Sequence, residues 1–310
     1  MRSKNERRMA SSRNHSSSAG ITYICAGAFC LVVNDALAKY LNDFYPVIEI
    51  VFFRMLFALP LIVCTGLIAG GRRSLSTRAP WLQIGRGLAA IAAPIAYISG
   101  LAVLPLAVNA AISFASPLFI TVLALPLLGQ RPGWRQWLAT LAGFGGVLII
   151  IQPGVAVFSW GVLLPLAAAL AYALLMLSAR TLADRGDTIW VTMLYATGVP
   201  LVASAVLLPW YWTPPALSHW PALVGIGVAG GAAITLITQA FRVGDASIVA
   251  PFDYTGLLWA ALLGWLFWGE IPALAAFVGM AVIIVAGVYL AYRQGAPRSR
   301  RAGALPRRKS

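Results

Sequence analysis

The chain has 310 residues, of which 60% are hydrophobic and only 10% are charged, and its mean hydropathy is +0.82. A soluble domain of this size carries about 25% charged residues, so the composition excludes an ordinary soluble fold. The net charge of +14 does not indicate nucleic-acid binding, because the basic residues concentrate in two tails and in alternate loops between apolar segments. The chain is therefore predicted to be an all-α polytopic membrane protein.

Ten apolar segments follow one another along the chain, each about long enough to cross a hydrocarbon core of about 30 Å as a helix. They are predicted at residues 19–39, 46–69, 81–103, 106–128, 134–152, 160–181, 188–209, 219–241, 246–268 and 272–292. The first segment is predicted to be a retained span and not a cleaved signal, because Asn34 and Asp35 directly precede the "ALA" that imitates a cleavage site.

The basic residues predict the orientation of these spans. Twenty of the 23 Lys and Arg residues fall in the two tails and in the connections that share one side with them, whereas Lys39 is the only one in a connection on the other side. Excess Lys and Arg marks the cytoplasmic face of a membrane protein. Both termini are therefore predicted to be cytoplasmic.

The two halves of the chain resemble each other. "SFASPLFITVLALPLLGQRPGWRQWLATLAGFGGVLI" in the first half is similar to "FDYTGLLWAALLGWLFWGEIPALAAFVGMAVII" in the second, and Gly129-Gln130 aligns with Gly269-Glu270. Five spans per unit is an odd number, so the second copy is inserted upside down relative to the first. Inverted repeats of this kind are typical of secondary transporters, whose solute site lies near the membrane midplane between the halves.

Several motifs resemble the EamA-type branch of the drug/metabolite transporter superfamily: "DALAKYL", "YPVIEIVFFR", "GRGL", "NAAISFASPLFITVLALPLLGQRPG" and "IVAPFDYTGLLWAALLGWLFWGE". The resemblance implies a bacterial inner-membrane carrier that works by alternating access and needs no cofactor. It implies a basic tail at 1–18, repeats at 19–152 and 153–292, and a second basic tail at 293–310. The pattern is closest to carriers of S-adenosylmethionine and riboflavin, so an amino acid, nucleoside-like or vitamin-like solute is expected. The family's usual Glu after Gly in the first repeat is Gln130 here, and the second repeat keeps Glu270.

Two ionisable residues are predicted to lie deep in the membrane. Arg54 stands eight residues past Pro46, roughly 12 Å from the outer end of its span at 1.5 Å per residue. It can hold either an anionic solute group or an internal acid. Asp253 lies about 11 Å from the inner end of its span and follows Pro251, which frees a backbone carbonyl. It is expected to contact solute or carry a proton, with pairing to Arg54 or Arg86 as the alternative.

Four further charged residues are candidates for gating or proton coupling. Asp35 and Lys39 stand four residues apart and can pair on one helix face, and Glu49 is expected to join them at the outer end. Arg86 is expected to extend its side chain to the inner headgroups, with a gate role left open by the match in "GRGL". Aromatic residues in mid-span can stack on a planar solute, although each can also be core packing or a lipid contact: Tyr97, Phe114, Tyr172, Tyr195, Phe252, Tyr254 and Trp259.

Other classes of membrane protein fit the sequence less well. A membrane-embedded enzyme calls for a metal motif or clustered His and acidic residues, and the predicted spans contain no such pattern. A channel or structural scaffold does not require an inverted internal duplication. The expected partners are a small-molecule solute and membrane lipid. Gly227 and Gly231 form a GxxxG pattern that indicates close helix packing, either within the chain or in a homodimer.

Overall fold

The computed structural model describes residues 2–128, 134–151, 160–243 and 250–295, and the backbone in these ranges is almost entirely helical. The α-helices are α1 (Arg2–Leu41), α2 (Val47–Gly70), α3 (Pro80–Ala90), α4 (Ala92–Val103), α5 (Leu106–Ser113), α6 (Ser116–Leu128), α7 (Trp134–Ile151), α8 (Leu163–Asp184), α9 (Ile189–Tyr211), α10 (Trp220–Val243), α11 (Thr255–Trp268) and α12 (Leu274–Gly295). Short 3-10 turns lie at Arg72–Leu75, Trp160–Val162, Leu217–His219 and Ala250–Tyr254. Gln130 lies outside the described residues.

The helices match the ten predicted spans. Seven segments of the described chain are long and apolar enough to cross a membrane, and they correspond to the first four spans and to the sixth, seventh and eighth. Shorter apolar helices at Trp137–Ile150 and Leu274–Tyr289 occupy the fifth and tenth positions. The 3-10 turn Ala250–Tyr254 and α11 occupy the ninth. The predicted all-α polytopic fold is therefore confirmed.

Three spans are interrupted. In the ninth span, Pro251, which was expected to free a backbone carbonyl, lies in the 3-10 turn before α11. The third and fourth spans each contain a short break as well: α3 ends at Ala90 and α4 begins at Ala92, while α5 ends at Ser113 and α6 begins at Ser116. Pro94 and Pro117 lie in the first turn after these breaks, where a missing backbone N–H costs little.

The breaks in the fourth and ninth spans bring the two repeats together. Gly129 aligns with Gly269, so counterparts are 140 residues apart, and Phe114 is then the counterpart of Tyr254. Their ring centroids are 5.0 Å apart and their planes are inclined by 30°. Tyr254 is buried, and α11 packs against α5. Because two repeat-related residues touch, the interrupted spans meet near the centre of the inverted pair.

Glycines allow α10 to approach α2 closely. A Cβ on Gly227 would lie 2.3 Å from Phe57 Cβ and 2.9 Å from the carbonyl oxygen of Arg54. A Cβ on Gly231 would lie 2.9 Å from Leu61 Cδ1. The GxxxG pattern therefore serves helix packing inside the chain, so it is not evidence for a homodimer.

Helices α7 and α12 make a second close contact through glycine. A Cβ on Gly279 would lie 2.5 Å from the carbonyl oxygen of Gly146 and 2.5 Å from Ile150 Cγ1. Gly145 lies on the same helix as Gly146, yet a Cβ there would meet nothing within 4 Å. Gly279 therefore sets the distance between the fifth span of each repeat.

We expect Gly279→Ala to destabilise the protein by about 1–3 kcal/mol, because the added methyl group meets backbone that cannot move aside locally. The measurement is the midpoint of thermal unfolding of the purified protein in detergent. Gly145→Ala is the matched control and is expected to leave the midpoint nearly unchanged. Equal shifts for the two variants would show that the α7–α12 contact is not tight.

Asp187, in the connection between α8 and α9, joins the two halves at the predicted inner end. Its carboxylate accepts hydrogen bonds from Thr77 Oγ1 at 2.6 Å, Gln83 Nε2 at 2.8 Å and the backbone N–H of Arg78 at 3.3 Å. Burial by itself opposes ionisation, but these hydrogen bonds and the attraction to Arg78 outweigh it and lower the pKa of Asp187. The ionised carboxylate thus holds the start of α3 beside the start of α9.

We expect Asp187→Asn to lower the unfolding midpoint at pH 7. The folded-state pKa of Asp187 lies below the unfolded value of about 3.9, so its stabilisation is complete above that value and is lost as the pH falls through the folded pKa. The difference between wild type and variant should therefore shrink in the acid range. The exposed Asp43, at the opposite end, supplies the control Asp43→Asn. A difference that is constant with pH would assign Asp187 a role independent of its charge.

Candidate functional site

Three predicted site residues from three helices of the first half lie together inside the bundle. Tyr97 Oη on α4 donates a hydrogen bond of 2.7 Å to Asp35 Oδ2 on α1. Arg54 on α2 interacts electrostatically with both of these groups. Asp35 is buried, and the Tyr97 backbone carbonyl accepts a hydrogen bond from Asn109 Nδ2 at 3.3 Å. The structure therefore brings Arg54 to Asp35, and not to Asp253 as one interpretation of the sequence had it.

Helix α10, the eighth span, lies against this cluster from the second half of the chain. Asn34 Nδ2 donates a hydrogen bond of 2.5 Å to the carbonyl oxygen of Ile226 on α10. A Cβ on Gly230 would lie 3.0 Å from Asn34 Nδ2 and 3.8 Å from Arg54 Nε. Gly230 therefore leaves room for both side chains. Asn34, Asn109 and Gly230 also belong to the cluster and were not predicted. Asn34, which stands beside Asp35 in mid-span, could have been recognised from the sequence.

Lys39 joins the halves at the predicted outer end. Its Nζ lies 2.6 Å from Glu270 Oε1 and also donates a hydrogen bond of 2.8 Å to the carbonyl oxygen of Leu104. Glu270 Oε2 accepts from the backbone N–H of Leu106 at 2.8 Å, at the first residue of α5. The predicted Asp35–Lys39 pair is therefore wrong. Asp35 has a nearer partner on α4 and Lys39 one in the turn before α12, which the i, i+4 spacing could not indicate.

Two more hydrogen-bonded contacts connect the first and second halves at the same end. The fully buried Glu49 accepts a hydrogen bond of 2.9 Å at Oε2 from the backbone N–H of Thr213, so the prediction that it joins Asp35 and Lys39 is wrong. Tyr45 Oη lies 2.8 Å from His219 Nδ1 and accepts from the backbone N–H of Ala216 at 3.0 Å. His219 thus takes part in a contact between the first and second halves.

Arg86 does not extend to the headgroups. Its side chain is only 8% exposed. Its Nε donates to Ser178 Oγ at 3.0 Å and its Nη2 to the carbonyl oxygen of Leu175 at 3.0 Å, both on α8. The snorkelling prediction is therefore wrong, because α8 passes close enough to supply acceptors inside the bundle.

The remaining predicted site residues lie along the ninth span. Asp253 belongs to the 3-10 turn before α11 and is partly exposed. Tyr254 packs on Phe114, as described above, and a Cβ on Gly287 would collide with the Tyr254 hydroxyl. Trp259 meets Phe29 of α1 edge-on, with the ring centroids 5.0 Å apart. Tyr254 and Trp259 therefore have packing partners in the bundle.

Two apolar grooves lie away from these charged groups. One, of about 810 Å³, runs between α7 and α12 and includes Ala142 and Val282. The other, of about 830 Å³, runs between α2, α3 and α9 and includes Leu88 and Val199. Their linings suit lipid chains better than a polar solute.

Comparison with known proteins agrees with this arrangement. The model of the EamA-like transporter family matches twice, at residues 18–152 and 159–293. An S-adenosylmethionine uptake transporter of Rickettsia bellii is 27% identical over 277 residues, which cover 89% of this chain and 94% of the relative. A riboflavin transporter of Rhizobium johnstonii is 33% identical over 240 residues, 77% of each chain. A pseudopaline exporter of Pseudomonas aeruginosa is 28% identical over 273 residues, 88% of this chain and 95% of the relative.

A solved crystal structure supports the fold. It superposes with a TM-score of 0.64 at 20% sequence identity, over 90% of this chain and 98% of its own. The double family match places one copy on each half of the chain, as expected for a duplicated five-helix unit. The chain belongs to the EamA-like transporter family and is a multi-pass membrane transporter of a small solute.

Proposed function

We propose that the chain carries a small polar or aromatic metabolite across the bacterial inner membrane by alternating access. The observation that carries the proposal is the cluster of Arg54, Asp35 and Tyr97 deep in the bundle, against the wall formed by α10. A charged side chain at the centre of a membrane helix costs about 2.5–3.5 kcal/mol on insertion, which favours a functional reason for keeping it. In this proposal the solute is contacted by Arg54, Asp253, Tyr97, Phe114, Tyr254 and Trp259.

The moving units of the proposal are the two repeats, 19–152 and 153–292, which rock around the central cluster. Links at the outer end, above all Lys39–Glu270 and Glu49–Thr213, would open and close with each cycle. Asp35 is the candidate for proton coupling, because it lies between Tyr97 and Arg54. Arg86 is the candidate for a role at the inner side.

The solute class rests on chemistry and on the relatives. S-adenosylmethionine and riboflavin, the solutes in the names of two relatives, each carry a heteroaromatic ring. Phe114 and Trp259 are only partly buried and would offer aromatic surface to such a ring, and Tyr254, packed on Phe114, would act together with it. We therefore propose a ring-bearing, nucleoside-like or vitamin-like solute, or an amino acid.

Orientation and partners complete the proposal. The concentration of Lys and Arg in the tails and in the connections on their side supports cytoplasmic termini. The chain acts as a carrier and not as an enzyme, with membrane lipid around it and no bound cofactor. A homodimer is possible only through a surface other than the Gly227–Gly231 face, which α2 covers.

Flux in proteoliposomes tests the proposed function. Purified protein is reconstituted, and uptake and efflux of radiolabelled S-adenosylmethionine, riboflavin and phenylalanine are measured with and without a pH gradient. Protein-dependent, saturable flux of at least one solute is expected. Vesicles that contain heat-denatured protein are the control. Flux no greater than in the control, for every solute and in both directions, would contradict the proposal.

A further inference from the structure

Helix α8 is exposed on two opposite faces. Leu163, Leu170 and Leu174 are exposed on one of them, as expected of a face that meets lipid. Tyr172 is 47% exposed and Met176 is also exposed, although both lie about 120–180° around the helix from those leucines at 100° per residue. Because a helix at the edge of a bundle meets lipid along one face, we take the exposure of Tyr172 as a sign of open space on the inner face of α8.

Arg86 lies beside this space and has no counter-charge. Both of its acceptors, the Leu175 carbonyl and Ser178 Oγ, are neutral, and Nη1 is buried with no hydrogen-bond partner among the described residues. Lys39–Glu270 is the one ion pair within the described ranges, so Arg86 pairs with no carboxylate there. Arg86 and Tyr172 interact electrostatically. The permanent positive charge of the guanidinium is therefore left for an anionic partner to satisfy.

Asp253 is a carboxylate that likewise has no ion-pair partner among the described residues. It interacts electrostatically with Tyr172 and Tyr254, and no cation within the described part of the chain lies within ion-pair distance of it. Arg54, the other deep cation, has Asp35 as its electrostatic partner. Arg86 and Asp253 are thus a positive and a negative group with no ion-pair partner among the described residues, and both interact electrostatically with the exposed Tyr172.

We propose that Arg86, Tyr172 and Asp253 form an inner recognition site for a solute that carries both an anionic and a cationic group. Arg86 Nη1 binds the anion, for which a carboxylate is the natural match, Asp253 binds the cation, and the Tyr172 ring packs against the body of the solute. This inference rests on the proposed carrier function and deepens it. It also assigns the anionic group of the solute to Arg86 and not to Arg54, because Arg54 already has a carboxylate, Asp35, near it.

Three compounds with the same ring separate the two charges. Phenylalanine carries a carboxylate and an ammonium group, 2-phenylethylamine lacks the carboxylate, and 3-phenylpropionate lacks the ammonium. Equilibrium binding of each radiolabelled compound to the purified full-length protein is measured for wild type, Arg86→Gln, Asp253→Asn and Tyr172→Ala. Leu174→Ala, on the lipid face of the same helix, is the matched control. Arg86→Lys tests whether restoring the charge restores binding.

We expect the wild type to bind phenylalanine at least about tenfold more tightly than either analogue, the range for a hydrogen bond to a charged group. Arg86→Gln should abolish the preference over 2-phenylethylamine and keep that over 3-phenylpropionate, and Asp253→Asn should do the reverse. Tyr172→Ala should weaken all three compounds, and Leu174→Ala none of them. Arg86→Lys should recover part of the lost preference.

Two results would overturn the inference. One is a wild type that shows no preference for phenylalanine or binds none of the three compounds. The other is an equal loss for all three compounds in Arg86→Gln, which is what a purely structural arginine would give. Flux and binding measurements separate the two proposals. Solute flux in proteoliposomes without a binding preference for phenylalanine would contradict only the inner site. A binding preference for phenylalanine without flux would contradict only the carrier function.

Discussion

Replacing Lys39 with glutamate is expected to reduce transport at least about tenfold, because the variant sets two carboxylates against each other where the hydrogen bonds to a charged group contribute about 1.5–3 kcal/mol each. Lys39 and Glu270 are only 11% and 19% exposed, so water screens their attraction weakly. The pair connects α1 in the first half to the turn before α12 in the second. Losing it should leave the outer end unable to close. The measurement is the initial rate of solute uptake in proteoliposomes.

The reversed pair sharpens this prediction. Lys39→Glu combined with Glu270→Lys restores the attraction between the two side chains. However, the new carboxylate at position 39 faces the Leu104 carbonyl oxygen, and the new ammonium group at position 270 faces the Leu106 N–H, so neither can form the original hydrogen bond. Partial recovery is therefore expected. Asp43→Asn, in the same hairpin but exposed, is the control and should transport normally. If Lys39→Glu transports at the wild-type rate, the ion pair has no part in gating.

Replacing Arg54 with glutamine is expected to abolish measurable transport and also to lower stability. Removal of one member of a buried charge pair typically costs about 3–5 kcal/mol, because the other charge is left uncompensated. Here that charge is Asp35, which keeps only the hydrogen bond from Tyr97. Tyr97→Phe removes that hydrogen bond and retains the ring, so it should give a milder loss, about tenfold or less.

The double variant Arg54→Gln with Asp35→Asn decides what Arg54 does. Neutralising both charges removes the imbalance, so the unfolding midpoint in detergent should recover toward that of the wild type. Transport should stay absent if these charges act on the solute or carry protons. Recovery of transport together with stability would reduce Arg54 and Asp35 to a structural pair.

The sequence predicted the span positions well because that prediction depends on local composition. A run of about 20 apolar residues has only one stable arrangement in hydrocarbon, and that is helix. The breaks at Ile91 and at Phe114–Ala115 were missed, since a proline inside an apolar run is compatible with either a kink or a continuous helix. Pro251 was singled out because Asp253 and two aromatic residues accompany it.

The individual partners of the charged residues could not be predicted in the same way. Asp35 and Lys39 share a helix face, yet each pairs with a residue more than 60 positions away. Arg86 stands near the end of its predicted span, where an extended side chain reaches water, but α8 offers it acceptors at shorter range. Sequence spacing reports neighbours on one helix, whereas these contacts depend on which helices lie side by side.

The sequence by itself determined that this chain is a helical membrane protein with a duplicated unit, because hydrophobic length, basic-residue placement and internal repetition are properties of the chain alone. It also predicted that Arg54 and Asp253 lie deep in the membrane. Only the tertiary structure decided that Arg54 lies with Asp35, that Lys39 reaches Glu270, and that Arg86 and Asp253, which have no ion-pair partner among the described residues, both interact electrostatically with Tyr172. The physical reason is that burial makes a charge costly wherever it is, but its partner depends on how the helices pack.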